Sequence, residues 1–194
     1  MAETPVERLY LIRHGRPSVT WGGADPDPGL DETGLAQAQA AAAHLLCLPA
    51  AERPLRVVSS PLRRCLETAA PLAHALGVDV EIDTAVGEVP TPHALRTDQR
   101  PAWLAEAMSG RWDQIVGDIN YDAWRKSVTA AVAKRARTAV FSHFVAINAV
   151  ISTLSGDDRV VGFRPDHGSI TTLSAGAQGL LVVERGPEAG TSVL

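Results

Sequence analysis

Residues 8–15 read Arg8-Leu9-Tyr10-Leu11-Ile12-Arg13-His14-Gly15. A short apolar run that stops at polar side chains and a glycine is the pattern of a buried strand. Arg13 and His14 then fall at that strand's carboxyl end. Residues 16–30, rich in Gly, Pro and Asp, read as a loop. Asp31 is placed to cap a helix running to about Leu48, with Leu35, Ala38, Ala42, Leu45 and Leu46 on its apolar face. Residues 55–59 repeat the strand signal. Ser60 and Pro61 after them form an N-cap and first-turn signature. The helix expected there carries Leu62, Cys65, Leu66, Ala69, Ala73 and Leu76 on one face and ends at Gly77.

Residues 78–82 alternate apolar and acidic, as a half-exposed strand does. Residues 83–119 show weak periodicity and predict an irregular excursion with one or two short helices. A helix over 121–136, a strand over 138–142 and a helix over 144–154 closed by Gly156 follow. Closing strands are expected at 169–174 and 180–184, and a frayed tail after them. Strands alternating with helices predict an α/β layered fold around a largely parallel sheet. Ligands of such sheets bind beyond the carboxyl ends of the strands.

The chain has 194 residues, 45% hydrophobic and 21% charged, with 16 Gly and 13 Pro. That is the make-up of a folded globular protein rather than a disordered one. Its length suits one domain over 1–194, with residues 89–120 as an excursion covering the pocket. A net charge of −4 argues against a nucleic-acid partner. Cys47 and Cys65 are too few for a disulfide framework. Both fall in helix-like segments, and buried thiols in a reducing compartment are expected. Glu3, Glu7 and Arg8 interrupt any secretory leader, and no apolar run approaches a membrane span. A cytoplasmic protein with no membrane partner is expected; the oligomeric state is not legible.

Three strand ends carry the unusual residues: Arg13-His14-Gly15-Arg16, Ser59-Ser60-Pro61-Leu62-Arg63-Arg64 and Ser142-His143-Phe144. If these strands are parallel neighbours, two histidines and several arginines converge at one sheet edge. The helix after Ser60 adds its N-terminal dipole there. Arginine presents a fork of donors that matches phosphate oxygens. A neutral imidazole is a nucleophile at phosphorus, and an imidazolium donates to phosphoryl oxygen. Together they meet the demand of phosphoryl transfer for positioning and charge stabilisation. No HExxH helix or Cys/His cluster suggests a metal.

At these junctions the chain resembles the histidine phosphatase superfamily, with the phosphoglycerate-mutase-like fold. Leu11-Ile12-Arg13-His14-Gly15 looks like its signature. Ser60-Pro61-Leu62-Arg63-Arg64-Cys65-Leu66-Glu67-Thr68-Ala69 is similar to its second motif, and Ser142-His143 to its second histidine. Leu30-Asp31-Glu32-Thr33-Gly34-Leu35-Ala36-Gln37 resembles its helix start, and Glu88 falls where the family keeps its acid. The resemblance implies a three-layer α/β/α sandwich and a metal-independent phosphomonoesterase without cofactor. His14 becomes the phosphohistidine, while Arg13, Gly15, Arg64 and His143 hold the phosphoryl group. Glu88 serves as general acid and base. Arg16, Ser60, Phe144 and His93 are further candidates for substrate contact. The substrate implied is a phosphorylated small molecule, with a phosphoprotein as the second possibility.

The chain also departs from the family. Arg16, Pro17 and a loop with Trp21-Gly22-Gly23 stand where many members carry Glu, Gln or Thr and then Asn. Phe144 replaces the usual glycine, and no Trp-Glu-Gly follows Glu88. The long basic, Tyr-rich insertion of cofactor-dependent mutases is missing, which favours a phosphatase. Mutase-type phosphotransfer and a non-catalytic phospholigand-binding module are the alternatives.

Among the remaining candidates, Arg63 reads as solvent-facing or supporting, Glu81 as part of a solvated face, and His44 and His74 as structural or surface residues. His167, in Pro165-Asp166-His167-Gly168, reads as a turn residue. His93, Arg96, Arg100 and Arg111 either meet a second anionic group or balance Asp98, Glu106 and Asp113. Trp103, Trp112 and Trp124 are expected to pack the excursion's core, with one of them at the pocket mouth as the alternative.

Overall fold

A computed structural model describes residues 7–19, 25–177 and 179–190. The expected loop residues 20–24 and the last four residues of the tail lie outside them. Six strands form one sheet: β1 (Glu7–Arg13), β2 (Arg56–Ser59), β3 (Val80–Ile82), β4 (Thr138–Ser142), β5 (Ile170–Gly176) and β6 (Gly179–Glu184), in the order β3-β2-β4-β1-β5-β6. β1, β2, β3 and β4 run parallel, whereas β5 and β6 add antiparallel to β1's other side. The sheet is therefore largely parallel, closed by an antiparallel hairpin.

Each central strand is buried on both faces, which explains its unbroken apolar runs. Tyr10 and Ile12 pack on one side with Val57, Ala139 and Phe141, against α1 (Glu32–Cys47) and α2 (Arg63–Leu76). Leu9 and Leu11 pack on the other with Val58, Val140 and Leu173, against α4 (Tyr121–Ala133) and α5 (Phe144–Ser155). This is the expected three-layer α/β/α sandwich. The excursion over 89–120 holds two short 3-10 turns and α3 (Arg100–Ser109), and a third such turn, Thr84–Val86, precedes it. It has a core of its own, in which Val89, Trp103, Trp112 and Tyr121 pack with Phe144, Val145 and Val160. Among the described residues no helix is long and apolar enough to cross a membrane.

Three local expectations are corrected. Leu35 is half exposed, because the buried stripe of α1 runs through Gly34, Ala38, Ala41, Ala42 and Leu45. Cys47, near that helix's end, is exposed, while Cys65 is buried. α2 starts at Arg63 and not after Ser60. The Ser60 hydroxyl is held by His143 at 2.8 Å and takes the Leu62 N–H only at 3.4 Å, and the Asp27 carboxylate takes the helix's first free N–H, at Arg63 (3.0 and 3.1 Å).

Candidate active site

The parallel register puts three strand ends side by side: Arg13 of β1 is paired with Ser142 of β4, and Ser59 of β2 with Phe141. His14, Ser60 and His143, each the next residue, therefore emerge from one edge. The His14 N–H continues the ladder to the Ser142 carbonyl (3.0 Å), and the Ser60 N–H does so to Phe141 (3.0 Å).

His14 is buried, and its Nδ1 lies 2.8 Å from the Gly15 carbonyl. A carbonyl only accepts, so Nδ1 carries the proton and Nε2 keeps its lone pair. That lone pair accepts from Arg64 Nε at 3.2 Å. Burial holds the His14 pKa well below the ordinary histidine value, and the nearby His143, Arg64 and Arg13 push it the same way. The ring is neutral at pH 7, with a free nitrogen facing a cation.

His143 is fully buried, and its ring centroid is 5.3 Å from that of His14. Its Nε2 meets the Ser60 hydroxyl at 2.8 Å and Cys65 Sγ at 3.4 Å. Its Nδ1 lies 3.2 Å from Arg64 and 3.5 Å from Glu88 Oε2. Burial lowers its pKa far below the usual range, followed by Arg64, Arg13 and Arg100. The Cys65 thiol behind it is pushed up by burial and stays protonated. Glu88 arrives from the turn after β3, with Oε2 3.5 Å from Arg64 and Oε1 accepting the Val89 N–H at 3.0 Å. Arg64 thus touches His14, His143 and Glu88.

Arg13 lies over the Phe144 ring, 5.1 Å from its centroid. One terminal nitrogen donates to the Pro165 carbonyl at 2.9 Å, and the other meets His167 Nε2 at 3.2 Å. Burial brings its pKa down to about 10, so it stays charged at pH 7.

Most of the expected residues thus meet: His14, Arg13, Arg64, His143 and Glu88 form one cluster, with Ser60 and Phe144 behind them. Gly15 supplies the carbonyl that sets His14's tautomer. Arg16 is exposed and bonded to Asp31 (2.5 Å) and Thr33 (2.9 Å) at the start of α1. His93 is not brought in; its side chain is 82% exposed and bonded to Asp118 at 2.8 Å. Of the three arginines of the excursion, Arg96 pairs with Asp98 and Arg111 with Asp158. Arg100 alone is turned toward the cluster: it donates to the Val89 carbonyl at 3.1 Å and to Thr91, and its electrostatic neighbours are Glu88 and Arg64. A cleft lined by Trp103, Glu106, Arg111 and Val116 holds none of the cluster.

Sequence reasoning missed His167, which reads as a turn residue and sits with its ring centroid 5.4 Å from that of His14. Its place in a turn of Asp and Gly gave no sign of the contact with β1. Asp27 was also missed; it lies 4.0 Å from Arg64 as well as on the Arg63 N–H. Among the described residues no three His, Cys, Asp or Glu side chains are grouped as metal ligands.

The arrangement suits an anion with a tetrahedral centre, held by two arginines and approached by an imidazole nitrogen. A family model, the histidine phosphatase superfamily (branch 1), matches residues 9–186. A glucosyl-3-phosphoglycerate phosphatase of Mycolicibacterium vanbaalenii is 32% identical, covering 91% of this chain and 76% of its own. One of Mycobacterium tuberculosis is 31% identical, covering 87% and 74%. Among solved structures, a phosphoserine phosphatase of Entamoeba histolytica in complex with 3-phosphoglyceric acid superposes with a TM-score of 0.70 at 19% identity, covering 93% of this chain and 96% of that one. The native mycobacterial glucosyl-3-phosphoglycerate phosphatase gives 0.63 at 24%, covering 92% and 97%. At these identities the two structures bear on the fold alone.

Proposed function

The chain belongs to the histidine phosphatase superfamily, and on that premise we propose that it hydrolyses the phosphate monoester of a small metabolite through a phosphohistidine on His14. The observation that carries the reading is the tautomer of His14: its proton is tied to the Gly15 carbonyl and its lone pair faces Arg64.

In the proposed first step, the ester's phosphoryl group enters between His14 Nε2 and Arg64. Nε2 attacks phosphorus in line with the ester oxygen, the N–P bond forms and the P–O bond breaks. Arg13, Arg64 and His143 hold the equatorial oxygens and spread their charge. Glu88 gives a proton to the departing oxygen. The positive charge left on the His14 ring is met by the Gly15 carbonyl on Nδ1. In the second step Glu88, now a carboxylate, takes a proton from water as the oxygen attacks phosphorus and the N–P bond breaks. Inorganic phosphate leaves, and His14 and Glu88 return to their starting states. His143 is neutral before the substrate arrives; a bound dianion offsets the charge of Arg64 and Arg13, and favours its taking up a proton.

The charges of Arg13, Arg64 and His143 do the work a metal does elsewhere, so the reading includes metal independence. The likeness to glucosyl-3-phosphoglycerate phosphatases supports a small phosphorylated substrate. The same reading takes the chain as one catalytic domain, with residues 89–120 covering the pocket and setting specificity through Arg100. The test is hydrolysis of p-nitrophenyl phosphate by wild type and His14→Ala, with and without EDTA. Activity that survives EDTA and disappears in the variant is expected. Activity that survives in the variant, or that EDTA alone abolishes, overturns the reading.

A further inference from the structure

We propose that His167 is a positioning residue of the phosphoryl site, holding the Arg13 guanidinium with one ring nitrogen and the His14 main chain with the other. The inference rests on the part of the proposed function that makes this a site holding a phosphoryl group.

His167 Nδ1 lies 3.1 Å from the His14 carbonyl, and Nε2 lies 3.2 Å from an Arg13 terminal nitrogen. The carbonyl only accepts and the guanidinium only donates. A single state satisfies both: a neutral ring with its proton on Nδ1. The surroundings maintain that state, because burial first, and the charge of Arg13 next, bring the His167 pKa down to about 4. The other groups acting on the ring are Asp166 and the His14 carbonyl, which favour the proton, and Arg16, which opposes it.

The turn does not require this side chain. Its own N–H is taken by the Asp166 carboxylate at 2.7 Å, and Gly168 supplies the left-handed residue at φ 72°. The whole segment is instead fastened to the end of β1. The Gly168 N–H donates to the Arg13 carbonyl at 3.1 Å, the Arg13 N–H donates to Ser169 at 3.2 Å, and the Pro165 carbonyl takes Arg13's other terminal nitrogen.

Arg13 is only 4% exposed, and its Nε has no partner among the described residues. A buried guanidinium N–H without a partner is costly, and a phosphoryl oxygen is the acceptor the proposed chemistry brings. His167 and Pro165 thus fix the terminal nitrogens while Nε–H is left for the anion. Loosening His167 lets the fork rotate, and charge is then no longer aimed where it develops.

Two variants separate positioning from packing. His167→Leu fills similar volume without an acceptor. His167→Gln puts a carbonyl oxygen within reach of Arg13. The readouts are the affinity for inorganic phosphate by calorimetry, and kcat and KM on p-nitrophenyl phosphate. Leucine should weaken phosphate binding and lower kcat/KM by about 10- to 100-fold, as loss of a hydrogen bond to a charged group does. Glutamine should recover most of both, with the two thermal midpoints alike. His167→Ala stands in should the leucine variant not fold.

Phosphate affinity and kcat/KM within about twofold of wild type in the leucine variant, or a glutamine variant no better than leucine, overturn the proposal. A wild type that binds phosphate without hydrolysing any ester removes the phosphatase reading but leaves this one standing, if leucine weakens binding and glutamine restores it. A wild type that does not bind phosphate removes both.

Discussion

His14 donates one proton to the carbonyl of the next residue, and that bond decides which of its nitrogens keeps its lone pair. The same burial that keeps the ring neutral couples it to acid stability. His14 and His143 both have folded-state pKa values well below the ordinary 6.5. Above about 6.5 neither state binds the proton. Below it the unfolded chain takes protons that the folded one refuses, so stability falls as pH drops, by at most about 1.4 kcal/mol per pH unit for each imidazole. Urea unfolding at pH 7 and pH 5 should show this loss, and millimolar phosphate should reduce it; a midpoint unchanged between the two pH values contradicts it. Arg64→Lys keeps the charge but loses the fork that reaches His14, His143 and Glu88, and kcat/KM should fall by about 100-fold or more. Steady-state kinetics on p-nitrophenyl phosphate checks this, and a loss under about fivefold would argue against a geometric role. At this scale the sequence was most legible where a polar residue directly ended an apolar strand, as with Arg13, His14 and His143. It was silent on His167, because that contact joins residues 154 apart through a turn. His93 misled because nothing in a run of weak periodicity marks which side chains face inward.

The loop that carries His14 crosses the first turn of α1 at two glycines. A Cβ on Gly15 would stand 2.5 Å from the Gly34 carbonyl oxygen, and one on Gly34 would stand 2.1 Å from that of Arg16. Neither contact can open without moving backbone. Gly34→Ala should therefore destabilise the fold by about 1–3 kcal/mol and also lower kcat/KM, since the loop that moves carries His14, the proposed nucleophile. Urea unfolding with kinetics on the same sample tests this; a variant as stable and as active as wild type would mean the crossing is slack. Elements were legible where caps and periodicity agreed. Asp31 caps α1 by accepting the Gly34 N–H, and Gly77 and Gly156 end their helices in the left-handed conformation. The start of α2 was not legible: Ser60 has the chemistry of a cap, but its hydroxyl is drawn to His143, 83 residues away, at 2.8 Å, and takes the local Leu62 N–H only at 3.4 Å. Local rules cannot see a competitor that tertiary structure brings in.

Across the whole molecule, two helical layers seal the faces of the sheet, and the excursion adds a third core against α5. Trp112 anchors that core; it is 2% exposed, donates to Ser152 at 2.9 Å and packs beside Trp124. Trp112→Ala should cost about 3–5 kcal/mol of stability. Below its unfolding transition, kcat on p-nitrophenyl phosphate should be roughly unchanged, because Trp112 touches none of the cluster; an active-site effect without destabilisation would contradict that. The layered architecture was legible because buried strands and amphipathic helices alternate in the chain. The antiparallel hairpin of β5 and β6 was not, since short apolar runs carry no direction. The sheet brings three strand ends together around His14. The most direct test is to trap the enzyme during turnover of p-nitrophenyl phosphate and map the phosphoryl group by mass spectrometry. One acid-labile phosphoryl group on His14, absent from His14→Ala, is the predicted result. A phosphoryl group on another residue, or steady turnover with His14 never modified, would contradict it.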